Sequence, residues 1–163
     1  MTTIPHVTLY TDGSALGNPG PGGYGAVLMM DEHRKELSGG FRLTTNNRME
    51  IMGVIKGLEA LQERCHVELF SDSQYVINGI IKGWAKKWKS KGWMRNKTDK
   101  AINSDLWDQL LTQVGRHDVA FNWVRGHTGV EENERADRLA VGAAQGAGLG
   151  VDEGYEATAS RTF

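Results

Sequence analysis

The sequence predicts an α/β fold, a mixed sheet flanked by helices, and three features carry that reading. Three strand-like segments follow one another directly, as in an antiparallel meander. From Asn47 the apolar period changes from two to between three and four. After that point strand-like and helix-like segments alternate, as in parallel crossovers.

The elements follow in order. HVTLYTDG sets Val7, Leu9 and Thr11 against Thr8, Tyr10 and Asp12, a strand of period two. Six glycines between 13 and 25, with Pro19 and Pro21, predict a turn-rich loop. GYGAVLMM reads as a second strand, DEHRK as a polar hairpin turn, and ELSGGFRL as a third strand broken at its Gly-Gly pair. Ile51, Val54, Ile55, Leu58 and Leu61 mark the buried stripe of an amphipathic helix. VELFSD is a short strand, SQYVINGII and SDLWDQLLTQV are helices, DVAFNWV is a last strand, and EENERADRLAVGAAQ is a final helix. Its Ala136, Ala140 and Ala144 form a small-residue face that permits close approach.

A length of 163 residues suits one domain spanning the whole chain, with residues 145–163, rich in Gly and Ala at their start, as a C-terminal appendage. Cys65 is the only cysteine, which excludes an intrachain disulfide and a thiolate zinc site and fits a reducing cytoplasm. No stretch approaches the length of a membrane span, and the N-terminus lacks the pattern of a secretory signal. The net charge of −1 hides an asymmetry. Residues 82–100 carry eight Lys/Arg against Asp99 alone, a local charge of +7 that leaves −8 for the remainder. Such a basic, Trp-rich protrusion reads either as a solvated helix or as a docking site for a polyanion.

Four acids stand at expected junctions between elements. Asp12 precedes Gly13, which suits an Asx turn as well as a ligand. Glu50 lies three residues after Asn47, so it could close a capping box; it also shares a face with Val54, Gly57 and Leu58, where an inward carboxylate needs a partner. Asp72 ends a strand and could cap the next helix, as could Ser73, yet the carboxyl ends of parallel strands are where sites form. Asp137 has no cation at helical spacing, whereas Glu131 and Glu134 can pair with Arg135 and Arg138. Converging carboxylates of this kind hold hard divalent cations. His127, in the loop RGHTG beside the last acid, is of the type that moves protons near neutrality.

YTDGS with GNPGPGGYG, TNNRME, DSQYV, the spaced tryptophans, WVRGH and ENERADRLA, in that order from about Val7 to Ala144, resemble the bacterial type 1 ribonuclease H family. The resemblance implies a five-stranded mixed sheet with helices on both faces. It further implies a metal-dependent endonuclease that hydrolyses the RNA strand of RNA–DNA hybrids and leaves 5′-phosphate and 3′-hydroxyl ends. Carried over by motif, Asp12, Glu50, Asp72 and Asp137 would be the catalytic metal ligands for Mg²⁺, with Mn²⁺ as a substitute. Asp12 is then expected to bridge two ions, Glu50 and Asp72 to complete one and Asp137 the other. His127 would assist product departure or proton movement.

Asn18, Asn46, Asn47 and Gln74 would contact the hybrid groove, where neutral amides can both donate to and accept from a ribose 2′-hydroxyl. Thr45 and Asn18 would cradle a phosphate of the DNA strand. Lys86, Lys87, Lys89 and Lys91 would neutralise phosphates, and Trp84 would contact a sugar while the other tryptophans form a small core. Ala15 stands where some members have cysteine, and no role carries over to the residues beyond Ala144. A cytoplasmic monomer acting on RNA–DNA hybrid, without a membrane, is the expected setting.

Overall fold

In the computed structural model, which describes residues 4–126 and 130–159, five strands form one sheet in the order β3-β2-β1-β4-β5. The strands are β1 (His6–Ala15), β2 (Gly20–Met30), β3 (His33–Thr44), β4 (His66–Ser71) and β5 (Asp118–Trp123). The first three pair antiparallel, while β1, β4 and β5 run parallel, so β1 is the seam between the two halves. The helices are α1 (Asn46–Glu59), α2 (Gln74–Ile81), α3 (Trp84–Ser90), α4 (Ser104–Arg116), α5 (Glu131–Gln145) and α6 (Glu153–Ala159). None of the described helices is long and apolar enough to cross a membrane.

The predicted stripe of α1 is buried at Ile51, Val54, Ile55 and Leu58 and meets Leu9, Val67 and Leu69 in the main core. On α4, Leu106, Trp107 and Leu110 are buried in the same cluster. Trp88 and Trp93 pack against it from the basic protrusion, whereas Trp84 stays exposed.

The glycine-rich stretch is not the loop its composition predicts. Only residues 16–19 lie between strands; Gly13, Gly20, Gly22, Gly23 and Gly25 sit within β1 and β2. Their role is close approach. A Cβ at Gly13 would collide with the α1 backbone at Met49 and Glu50, and one at Gly23 or Gly25 with the α5 backbone at Ala140 or Ala136. β3 likewise runs through Gly39 and Gly40 without a break, because the Tyr24 ring covers one and the Ala143 carbonyl the other. On α5, Ala136, Ala140 and Ala144 are buried as predicted. Arg135, expected to pair along its own helix, instead forks onto Glu36 of β3 at 2.8 and 3.0 Å.

The C-terminal residues, expected as an appendage, are tied into the body. Gly150 exchanges backbone hydrogen bonds with Gly40 and Arg42 at 2.9 Å each, so it covers part of the β3 edge. Asp152, 3% exposed, is held by Arg48 of α1.

Candidate active site

Asp12 lies within β1 rather than in a turn, and its Oδ1 accepts the Gly13 N–H at 2.8 Å. Thr11 pairs with Ser71 at the end of the parallel neighbour β4, so Asp12, the next residue of β1, faces Asp72, the first residue beyond β4. Strand spacing of about 4.8 Å then brings two carboxylates side by side at the carboxyl end of the parallel half. The cap of α2 is Ser73, whose hydroxyl accepts the Val76 N–H at 3.2 Å, and this leaves the Asp72 side chain out of the capping role. The Trp123 indole donates to the Asp72 carbonyl at 3.1 Å and steadies that junction. The chain after β5 passes so near that a Cβ at Gly126 would stand 2.9 Å from Asp72 Oδ2.

Glu50 reaches the same point from α1. Thr45 caps this helix, with its hydroxyl accepting the Arg48 N–H at 3.2 Å, so no Asn47–Glu50 capping box forms. Gly13 lets the helix backbone rest on β1 beside Asp12. Glu50 is 6% exposed, and its Oε2 is buried with no hydrogen-bond partner among the described residues. Asp137 arrives from the other face. Gly25, the β2 partner of Asp12, lies under the Ala136 carbonyl, and the next residue brings its carboxyl into hydrogen-bonding reach of Asp12.

One oxygen from each of Asp12, Glu50 and Asp72 lies within 4.8 Å of the other two; Asp137 borders this group through Asp12. Burial first, then the charge of Asp72, pushes the Asp12 carboxyl up to about 8, against the pull of the Gly13 N–H. Burial, followed by the charges of Asp12 and Asp72, drives Glu50 well above the ordinary carboxylate range. Crowded acids and a buried, unpartnered oxygen fit a hard divalent cation, which prefers oxygen donors and would remove the repulsion.

Asn18 accepts the Asn46 N–H at 3.2 Å, which ties the 16–19 loop to the start of α1. Asn18, Thr45 and Asn47 line a groove of about 630 Å³ that Lys100, Tyr155 and Thr158 close on its other sides. Asn47 also borders a second cavity of about 460 Å³, walled by Tyr75, Trp84, Lys87, Trp88 and Arg95. Gln74 is exposed at the start of α2. Lys86, Lys87, Lys89 and Lys91 are exposed on and just after α3, and Lys89 is engaged by Asp108 at 3.0 Å. Lys82 sits 5.4 Å from the Trp84 ring centroid. His127 lies outside the described residues.

Sequence reasoning missed Arg48. The available signal was a cation in the first turn of a helix, against the helix dipole.

A family model described as RNase H matches residues 5–145. The chain is 62% identical over 149 residues to the Ribonuclease H of Syntrophus aciditrophicus, a match covering 91% of this chain and 86% of that protein. It is 55% identical over 157 residues to the Ribonuclease HI of a Synechocystis species, covering 95% and 98% respectively. Among solved structures, LC9-RNase H1, a type 1 RNase H with the type 2 active-site motif, superposes with a TM-score of 0.80 at 36% identity, over 99% of this chain and 84% of that one. LC11-RNase H1, solved in complex with RNA/DNA hybrid, superposes with a TM-score of 0.63 at 26% identity, over 83% of this chain and 94% of that one.

Proposed function

The chain belongs to the ribonuclease H family, and from that premise we propose that it is an endoribonuclease hydrolysing the RNA strand of RNA–DNA hybrids, leaving 5′-phosphate and 3′-hydroxyl ends. The observation that carries this reading is the meeting of Asp12, Glu50 and Asp72 at one point, with a Glu50 oxygen buried and unpartnered.

Asp12, Glu50, Asp72 and Asp137 would hold the cations, Mg²⁺ with Mn²⁺ as a substitute. When bound, these supply positive charge to the scissile phosphate, a more acidic water and stabilisation of the leaving oxygen. The protein's own contribution is placement. β1 and β4 fix Asp12 and Asp72 on the rigid sheet, while α1 and α5 bring Glu50 and Asp137 against it from two helices. His127 is assigned proton movement or product departure by its motif. The amides of Asn18, Asn46, Asn47 and Gln74 are assigned to the hybrid groove, and Thr45 with Asn18 to a DNA-strand phosphate. Both grooves run beside the first turn of α1: Asn18, Thr45 and Asn47 line one, and Asn47 borders the other.

The basic protrusion is assigned to the DNA strand. Lys86, Lys87, Lys89 and Lys91 give binding that weakens steeply with salt, and Trp84 offers an exposed ring to a sugar. The setting proposed is a cytoplasmic monomer, in keeping with the buried, unbridged Cys65.

The test is cleavage of labelled RNA–DNA hybrid, duplex RNA and duplex DNA, each with Mg²⁺ and with EDTA. Only the hybrid should be cut, in its RNA strand and only with Mg²⁺. Cleavage that persists in EDTA, or equal cutting of duplex DNA, overturns the reading.

A further inference from the structure

The C-terminal segment is joined to the residues assigned to substrate reading by a buried network outside the acid cluster. Asp152 is 3% exposed and stands at the start of α6. Its Oδ2 accepts from the Thr44 hydroxyl at 2.6 Å and from Arg48 Nε at 2.8 Å, and its Oδ1 accepts from Arg48 Nη2 at 2.8 Å. Arg48 donates in turn to Asp105 at 2.8 and 2.7 Å and to the Asn103 side chain at 3.3 Å. All five guanidinium N–H groups are therefore engaged.

Thr44 and Arg48 bracket Thr45, Asn46 and Asn47. A single carboxylate, more than a hundred residues later in the chain, holds both ends of that tripeptide. α6 then extends Tyr155 and Thr158 along the wall of the groove that Asn18, Thr45 and Asn47 line. A carboxylate that only capped its own short helix would have no need of Thr44, and an arginine that only neutralised Asp105 would have no need of Asp152.

We propose that the C-terminal segment is a clasp, in which Asp152, through Thr44 and Arg48, positions Thr45–Asn47 for binding of the hybrid. This rests on the function proposed above. Asp152 touches no substrate; it acts through the groups it holds. Removing it loosens Thr45–Asn47 at the start of α1, while Asp12, Asp72 and Asp137 keep their supports at β1, the end of β4 and α5, and Glu50 keeps the packing of its own backbone on Gly13.

The test compares the steady-state kinetics of hybrid cleavage by the full-length protein with those of Asp152→Asn, Thr44→Val and a distant core variant, Val67→Ala. Val67 is 1% exposed in β4 and remote in sequence from the clasp, so it controls for stability loss alone. Asp152→Asn should raise KM about fivefold, within the range expected when groups are misplaced by less than an ångström, with kcat little changed. Thr44→Val, nearly the same shape, should raise KM in the same direction and serves if Asp152→Asn does not fold. Val67→Ala should leave KM at the wild-type value at a matched distance below its melting temperature. Unchanged KM in both clasp variants, or an equal rise in Val67→Ala, overturns the clasp while the proposed function stands. If the wild-type protein does not cut hybrid at all, the proposed function fails and the clasp fails with it.

Discussion

Arg48 and Glu50 stand two residues apart on one helix and are both buried, yet their surroundings are opposite. Arg48 meets two carboxylates and an amide, and every donor it has is used. Glu50 meets two further acids and has an oxygen with no partner among the described residues. At Asp152, burial alone would raise the carboxyl, but the Arg48 guanidinium and the Thr44 hydroxyl outweigh it and hold the group below its ordinary range. At Asp12, burial and neighbouring charge act in the same direction, upward. One cluster completes its interactions within the fold. The other gathers like charges around an oxygen with no partner among the described residues, which is the arrangement the proposed cation would satisfy. Buried charge is matched in one place and crowded in the other, and the sign of the neighbours makes the difference.

The largest difference between the two should appear in turnover. Asp12→Asn keeps the shape of the side chain but removes a charge from the proposed metal site. Hybrid cleavage should fall on the order of a thousandfold or more, with folding intact by circular dichroism. If Asp12→Asn cut hybrid within tenfold of wild type, the acid cluster would lose its functional reading.

Stability should separate the clusters by sign. Arg48→Ala leaves Asp152 buried without its cation, and the expected loss is about 3–5 kcal/mol in a denaturant titration. Asp12→Asn in metal-free protein relieves repulsion and should leave stability equal or higher. Loss of stability in Asp12→Asn comparable to that in Arg48→Ala would mean that the two clusters are both structural. Mg²⁺ sharpens the contrast. At a hundred times its dissociation constant it should stabilise the wild-type protein by about 2.7 kcal/mol, and Asp12→Asn by much less.

How much of this was legible in the sequence differs between the same two clusters. The four acids lie in compact local motifs, so each could be marked as a candidate before any fold was known. The helix stripe from Ile51 to Leu58 was equally readable, because periodicity is a local property. The glycines of β1 and β2 misled, since Gly13, Gly23 and Gly25 are small to admit helices packed from distant parts of the chain, and composition reports only their number. The Arg48 cluster was illegible for the same kind of reason. Asp152 lies 104 residues from its partner, in a segment whose Gly and Ala content reads as an appendage. What a residue does locally can be read from its neighbours in sequence; what it closes across the fold cannot.

The test that probes the electrostatic contrast most directly is the dependence of stability on pH. The Asp12 carboxyl is raised in the folded protein to about 8, from an unfolded value of 3.8. A group raised in this way binds a proton in the native state that the unfolded chain has already lost. Its contribution is therefore full below the unfolded value and declines as pH climbs towards 8, at no more than about 1.4 kcal/mol per pH unit for one proton. Glu50 adds in the same direction. His117 opposes it: burial and the nearby Arg116 lower its pKa, so its share of stability is lost as pH falls. The quantity to measure is thus the difference between wild type and Asp12→Asn, in EDTA, from pH 5 to 8, in which the His117 contribution cancels. Wild type should lose stability relative to the variant across that interval, and saturating Mg²⁺ should abolish the loss. Asp152 works on the other side of the scale. Its depressed carboxyl contributes fully above the unfolded value of 3.8 and fails only as pH drops below it. Parallel pH profiles for wild type and Asp12→Asn between 5 and 8 would show that the acids are not coupled as their proximity requires.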